Sequence, residues 1–386
     1  MKVALMHEWL VNIGGSEKCV ASFNNIFPGS DLFTIVHDPS VAASMGFSGK
    51  ITGTFINKLP GAARWYQRYL PLMPLAVEQL NLEGYDLILS SSHAFAKGVL
   101  TRADQMHVCY CHTPVRYAWD LYHQYLREWG LHRGLLSWPA RSILHYLRLF
   151  DVSSANRVDH FIANSRYVAR RIWRTYRREA TVIYPPVDVD LFQPGNKKDN
   201  FFLVLSRLVP YKKVDLIVEA FAKNGLPLVV VGDGPDMNKI RKLATKNIEI
   251  LGWQPAGEAS GYMSRARALI FAADEDFGIV PVEAQACGTP VIAFGKGGVL
   301  ETVNPLRISG KQEGEDGYIP TGIFFEQQTP DSLNDAVAEF IRNEVNFDRQ
   351  ALRRHALGFG RERFEREIRL FIEERWRKFR EEVRGF

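Results

Sequence analysis

The chain has 386 residues, more than one hydrophobic core usually organises, so two domains of roughly 180 residues each are the starting expectation. Hydrophobic residues make up 46% and charged residues 24%, the balance of a globular chain rather than a disordered or fibrous one. The net charge is +5, and residues 1–195 hold 20 Lys+Arg against 15 Asp+Glu while the remainder holds 28 of each, so the whole excess sits in the first half.

The opening, MKVALMHEWLV, starts as a strand (KVALMH) and is broken by His7 and Glu8. It lacks the long apolar core and small-residue cleavage site of a signal peptide. No run anywhere approaches the roughly 18 apolar residues of a membrane-crossing helix. VNIGGSEKCV follows. Gly14 and Gly15 let the backbone approach a ligand, and Ser16-Glu17 begins a helix whose first amides can meet an anion; a plain helix cap reads the same way. LFTIV, LILSSS, HVCYCH and HFIANS are the next strands, most of them ending in polar residues. Cys109 and Cys111 lie in one of them, and with Cys19 and Cys287 they form no C-x-x-C pair, which fits a reduced, cytosolic compartment.

CYCHTPVRYAWD puts His112 directly after an apolar strand and before a proline. A lone histidine is usually structural, but a strand's carboxyl end is where such folds bind ligands. No second histidine stands at ligand spacing, so metal binding is not expected. The basic excess concentrates between Lys97 and Arg178, a stretch rich in Trp, Tyr and Leu, and suits an anionic membrane surface, with Arg141 to Phe150 as a docking helix; a solvated helix face has the same composition. Zinc-finger spacing and RRM-type aromatic strands are missing, so nucleic acid is not expected as a partner.

VIYPPVDVDLFQPGNKKDN, with its prolines and polar run, reads as a linker. Beyond it FFLVLSRL, PLVVVGDG, IEILGW, ALIFAA, PVIAFG and TGIFF read as strands, with helical patterns such as VDLIVEAFAKNG and PVEAQACG between them. Strands alternating with helices predict parallel sheets. Arg207 and Lys212 stand five apart after the first of these strands and can grip a diphosphate from two sides; a solvated loop is the other reading. VVVGDGPDM places Gly232 and Gly234 after an apolar strand but lacks the third glycine of a dinucleotide fingerprint, so a tight turn explains it equally.

EDFGIVPVE spans Glu275 to Glu283. Phe277-Gly278-Ile279-Val280 predicts a tight loop leading into a helix, with Pro281 in the first turn, where its missing N–H costs nothing. The amides there bind anions, and the two glutamates flank them. Asp274-Glu275-Asp276 also reads as a D-x-D metal motif, and the two glutamates as a glycosidase pair, which needs carboxyls about 5–10 Å apart. The glycosidase reading leaves Arg207 and Lys212 unexplained. Those cations supply charge for a diphosphate, so no metal is required. The final segment, from Arg361, is a charged helix with an apolar stripe at Phe364, Ile368, Phe371, Ile372 and Trp376.

Together SRLVPYKKVDL, VGDGP, the E-x7-E of EDFGIVPVE and GTPVIAFGKGGVLETV resemble retaining glycosyltransferases of the GT-B fold, in the family's order. HEWLVNIGGSEK, CHTPVRYAWDLYHQYLR and ANSRYVARRIWRTYRREATVIYPPVD resemble the subgroup of mannosyltransferases in O-antigen and exopolysaccharide assembly. One departure is Lys213, where many relatives have Gly after the lysine; it bears on the shape of the loop.

The resemblance implies an α/β chain of two Rossmann-like domains with parallel sheets facing a cleft. Residues 1–185 would form the acceptor-side domain, with a C-terminal helix 361–386 crossing back onto it, and 196–360 the nucleotide-sugar-binding domain. Arg207 and Lys212 would neutralise the diphosphate, Glu283 hold the ribose and Glu275 a donor-sugar hydroxyl. Phe277, Gly278, Ile279 and Val280 would line sugar and phosphate, Trp253 border the base, and His112 contact the donor sugar near the reacting carbon. Gly15 and Gly232 complete the donor set; His112, Glu275, Arg207 and Lys212 are the catalytic group. The implied reaction retains configuration through front-face attack, without cofactor or metal. The expected donor is GDP-mannose and the acceptor a lipid-linked saccharide of lipopolysaccharide or exopolysaccharide assembly. The expected location is cytoplasmic, peripheral on the inner face of the plasma membrane. A UDP- or dTDP-sugar donor is the alternative, and an NAD(P)-dependent Rossmann oxidoreductase the alternative class.

Overall fold

The computed structural model describes residues 1–195, 197–307 and 318–384. The chain divides into two compact units, Met1–Pro186 with Phe364–Phe386, and Val187–Arg363. Of the expected linker and final helix, Asn196, Gly385 and Phe386 lie outside the described residues.

The first unit is built on a seven-stranded parallel sheet in the order β3-β2-β1-β4-β5-β6-β7. Its strands are β1 (Val3–Leu10), β2 (Asp31–His37), β3 (Ile51–Gly53), β4 (Leu87–Ser92), β5 (Met106–Cys111), β6 (His160–Ala163) and β7 (Ala180–Val182). A parallel sheet is covered on both faces, so its strands are apolar throughout rather than alternating. In β1, Ala4 and Met6 join one core with Val77, Phe95 and Phe150. Val3 and Leu5, one residue out of phase, join the opposite core with Phe23 and Tyr110. The edge strands β3 and β7 are three residues each, too short to announce themselves by period.

That second core also receives the last helix, Arg361–Arg384. Phe364, Ile368 and Ile372, spaced by four, bury one stripe in it, and Phe371 and Trp376 pack at its margin. The Phe364 ring lies 5.6 Å from that of Tyr110 and 5.8 Å from that of Phe23.

The second unit carries a six-stranded parallel sheet in the order β10-β9-β8-β11-β12-β13. Its strands are β8 (Phe202–Leu205), β9 (Leu228–Val231), β10 (Ile248–Gly252), β11 (Leu269–Phe271), β12 (Val291–Phe294) and β13 (Gly322–Phe325). The helix Val214–Asn224 buries Val214, Ile217, Val218 and Phe221 against β8 and β9, and ends at Gly225, whose φ of 73° closes it. This unit begins at Val187, inside the stretch whose composition reads as a linker. The prolines prevent regular structure there, yet Val187, Val189 and Phe192 are buried. The Arg353 guanidinium donates to the carbonyls of Val189 and Phe192, so the segment is held to the unit rather than free.

Both sheets have a switch point where the chain reverses its direction of travel across the sheet. In the first it falls between β1 and β4, in the second between β8 and β11. Loops following such strands diverge, and ligands bind at their carboxyl ends.

Candidate functional site

In the second unit the two switch-point loops are the ones marked by sequence. After β8 the chain passes Arg207 and a short turn, Pro210–Lys212, before the helix Val214–Asn224. After β11 it runs through Asp274-Glu275-Asp276 into the helix Ile279–Ala286. The Lys212 ammonium forms an ion pair with the Glu275 carboxylate, both partly buried. Sequence reading assigned these two to separate groups of a ligand; here they meet, so the charge of Lys212 is matched locally. Arg207 stays exposed. Lys296 pairs with Asp274 at 3.0 Å, so two members of the apparent D-x-D run face lysines.

Lys213 has φ 56° and ψ 34°, the left-handed region. The loop thus keeps a shape that glycine adopts freely, and the lysine bears the strain of its Cβ. Gly278 stands at φ 85° directly before its helix, where the turn requires it, and Pro281 lies within the first turn. The first amides of a helix have no partner inside it, and these follow Glu275 by four residues in the chain.

Close approach of backbones shapes both loops. A Cβ on Gly232 would stand 1.8 Å from the Ser206 carbonyl oxygen, and one on Gly234 2.4 Å from that of Leu208. The Leu208 N–H donates to the Asp233 carbonyl, tying the two loops. These glycines therefore pack loop on loop, which explains them without a dinucleotide and removes the footing of the oxidoreductase reading. Gly297 and Gly298, not assigned a role from sequence, brace the Glu275 loop: the Gly298 N–H donates to the Glu275 carbonyl at 2.8 Å, and a Cβ on Gly298 would meet the Asp276 oxygen at 2.4 Å.

The remaining donor-side positions differ in exposure. The Phe277 ring is buried and lies 5.8 Å from that of Phe359, so its side chain packs and its backbone is the part left to line a ligand. Ile279 and Val280 are partly exposed, and Glu283 is nearly buried in the helix. Trp253 follows β10 and is 71% exposed.

The switch point of the first unit is a different chemical environment. Glu8, fully buried in β1, accepts hydrogen bonds from the backbone N–H groups of His93, Ala94, Phe95 and Ala96 and from Ser92 Oγ. Burial pushes its carboxyl up, but His93 and the amides outweigh that and hold it below the ordinary range. Gly15 begins the helix Gly15–Ile26, and Glu17 in its first turn accepts the Gly14 N–H at 2.8 Å. The other Glu17 oxygen lies 3.2 Å from His7 Nε2; the His7 partnership and the amides overcome burial and bring Glu17 down to about 2.

His112 sits at the end of β5. Its Nε2 is 2.9 Å from Ser91 Oγ, which is itself 3.2 Å from His7 Nδ1. Burial, with His93 and His7 nearby, pushes its pKa down to about 3, so the ring is neutral at ordinary pH. Gly15 and His112, separate in sequence, are thus linked through Glu17, His7 and Ser91. Ser91 and His93 escaped the sequence reading, which named His7, Glu8 and Glu17 without these partners. The available signal was polar residues at the ends of otherwise apolar strands, His7-Glu8 in β1 and three serines in β4: buried polar groups need partners, and each of those serines has one.

The helix expected over Arg141 to Phe150 runs Ser137–Ala155. Its inner face buries Leu144, Leu147 and Phe150. Outward it exposes Trp138, Tyr146 and Leu149, continuous in sequence with Leu135 and Leu136; Leu135 is 90% and Trp138 77% exposed. Among the described residues no helix is long and apolar enough to cross a membrane, and no group of three or more His, Cys, Asp or Glu is placed to hold a metal ion.

Residues 189–357 match the family Glycosyl transferases group 1, and residues 37–191 match Glycosyltransferase Family 4. An uncharacterized glycosyltransferase of Methanocaldococcus jannaschii is 31% identical over 203 residues, 51% of this chain and 54% of its own. A GDP-mannose-dependent alpha-(1-6)-phosphatidylinositol monomannoside mannosyltransferase of Mycobacterium tuberculosis is 30% identical over 211 residues, 46% of this chain and 51% of its own. The chain spans about half the length of these curated relatives. In three dimensions it resembles Anabaena HepE, solved in complex with UDP, with a TM-score of 0.69 over 97% of this chain and 100% of that one, at 16% identity. The chain therefore has the GT-B fold of two Rossmann-like domains, and the greater part of its second unit matches the glycosyl transferases group 1 family.

Proposed function

We propose that the protein transfers a hexose, with retention of configuration, from GDP-mannose to a lipid-linked saccharide in cell-surface polysaccharide assembly. The observation that carries the reading is the second switch point, where the Lys212–Glu275 pair joins two glycine-braced loops, one carrying Arg207 and the other leading into the helix Ile279–Ala286. Cations and oriented amides suit a diphosphate, and a carboxylate beside them suits sugar hydroxyls. Arg207 and Lys212 stabilise the charge that develops on the leaving diphosphate, Glu275 holds a sugar hydroxyl, Glu283 the ribose, and exposed Trp253 borders the base. His112 contacts a sugar hydroxyl. The bond from the anomeric carbon to phosphate breaks as the bond to the acceptor oxygen forms on the same face, and the leaving phosphate takes the acceptor's proton. Catalysis is then positioning and charge stabilisation, and needs no metal.

Mannose and guanine are favoured over a UDP- or dTDP-sugar by relatives named as GDP-mannose-dependent mannosyltransferases. The apolar surface around Leu135, Leu136 and Trp138, flanked by Arg133 and Arg141, supports docking of the first unit on an anionic bilayer, where a lipid-linked acceptor resides. The test is product formation from GDP-mannose, UDP-glucose, UDP-galactose, UDP-GlcNAc and dTDP-rhamnose in parallel, with and without excess EDTA. GDP-mannose is expected to react fastest, and equally in EDTA. A UDP- or dTDP-sugar turned over at least about tenfold faster overturns the donor, since tenfold marks about 1.4 kcal/mol of discrimination.

A further inference from the structure

The four side chains Glu17, His7, Ser91 and His112 form one hydrogen-bonded series at the first switch point, and the fold dictates it. β1 and β4 are adjacent parallel strands in which His7 stands in register with Ser91. β4 and β5 are adjacent in turn, and the His112 N–H donates to the Ser92 carbonyl, which sets His112 beside Ser91. Glu17 reaches the other side of His7 from the first turn of the helix Gly15–Ile26. His7, Ser91 and Glu17 are all buried, so water cannot substitute for any of these partners.

Such a series has a direction, because an ionised carboxylate only accepts. Glu17 takes the Gly14 N–H on one oxygen and faces His7 Nε2 with the other, so His7 Nε2 carries a proton and donates. When that is the ring's only proton, the remaining nitrogen, Nδ1, is an acceptor and receives the Ser91 hydroxyl proton. The Ser91 oxygen is then left to accept, and its remaining neighbour is His112 Nε2. That nitrogen must therefore carry the hydrogen. The depressed pKa of His112, set by burial beside His93 and His7, agrees with a ring that holds a single proton. His112 Nδ1 makes no hydrogen bond to any described residue.

We propose that Glu17, His7 and Ser91 act as positioning residues that hold His112 in its Nε2–H tautomer, leaving Nδ1 as an acceptor for a sugar hydroxyl. A serine alone does not choose between tautomers, since its hydroxyl rotates; the buried carboxylate at the far end makes the choice. The ligand class follows: His112 recognises a group that donates a hydrogen bond, a hydroxyl, and not an anionic oxygen that only accepts. The part assigned to a sugar rests on the function proposed above; the tautomer does not.

The test reads the two parts separately. Nitrogen-15 NMR of imidazole-labelled protein at pH 8, without ligand, reports which nitrogen of His112 is protonated. The Nε2–H form is expected; an Nδ1–H form, or an averaged pair of signals, overturns the chain whatever the activity. Ser91→Ala is expected to turn the His112 signals into those of a tautomer mixture and to lower kcat/KM for sugar transfer about tenfold, the scale of one oriented hydrogen bond. Ser91→Thr keeps the hydroxyl and is expected to restore both. An unchanged tautomer in Ser91→Ala overturns the positioning role. A correct wild-type tautomer with no sugar transfer from any nucleotide sugar overturns the assignment of a sugar hydroxyl and the proposed function, and leaves the series intact.

Discussion

The two switch points hold similar residue types in opposite states. In the first unit the carboxylates of Glu8 and Glu17 are buried and satisfied by amides, serine and histidine. In the second, Glu275 and Asp274 pair with Lys212 and Lys296 at partly exposed positions, and glycines rather than polar side chains hold the loops in shape. A buried polar group left without its partner costs the desolvation of that group, so the first arrangement specifies one geometry. A pair that still touches water gains less from its partner than a fully buried one and exchanges partners more cheaply. One region therefore fixes its geometry through buried partners, while the other keeps its charges within reach of water.

The largest expected effect tests the support beneath the first region. Phe364→Ala leaves a hole against Phe23 and Tyr110, and the Tyr110 ring is 5.1 Å from that of His112. The loss in the first unit's unfolding free energy is expected at about 3–5 kcal/mol, measured by urea denaturation. A variant as stable as the parent would mean that this helix is not part of the first unit's core.

Glu275→Gln sharpens the contrast from the other side. Its ion pair is partly exposed, so stability is expected to change by less than about 1 kcal/mol. Transfer is expected to fall roughly 10²–10³-fold in kcat, the scale of one lost electrostatic partner at a reacting centre. Steady-state kinetics beside thermal melts decide it; a large drop in melting temperature with kcat intact would make the second region structural as well.

Acid should damage the first region through its buried histidines. His107 Nδ1–H donates to the Arg157 carbonyl and Nε2 faces Ser90 Oγ; burial pulls its pKa from 6.5 to about 4. Its stabilising contribution is fully present above 6.5 and is lost as pH falls through this window, because the unfolded chain binds a proton that the folded chain refuses. By about pH 5 the loss from this residue is on the order of 2 kcal/mol, and His112 acts in the same direction. Denaturation at pH 7 and pH 5 measures it. His107→Gln is expected to flatten the difference, and an identical pH dependence in the variant would remove the histidine from the account.

The smallest effect concerns Lys213. Lys213→Gly relieves a left-handed residue and is expected to raise stability by about 0.5–1 kcal/mol, net of the added freedom of the unfolded chain. A melting temperature that falls would show that the Lys213 side chain contributes more than its backbone strain removes.

The sequence by itself determined the two parallel sheets. A strand covered on both faces must be continuously apolar, and eleven such runs could be read directly: KVALMH, LFTIV, LILSSS, HVCYCH and HFIANS, then six more from FFLVLSRL to TGIFF. It also marked the loops that carry Arg207, Lys212 and Glu275, because charged residues directly after apolar strands stand out. Short edge strands such as Ile51–Gly53 were hidden, since three residues carry no period. So was the settled part of the former linker, where Val187, Val189 and Phe192 bury themselves without repeating. Tertiary structure alone decided which polar residues meet. Glu17 pairs with a histidine ten residues away, while Ser91 bridges two that lie 84 and 21 residues away. Strand order and register create such contacts, and neither leaves a trace in local spacing: burial sets the need for a partner, and the sheet chooses which one.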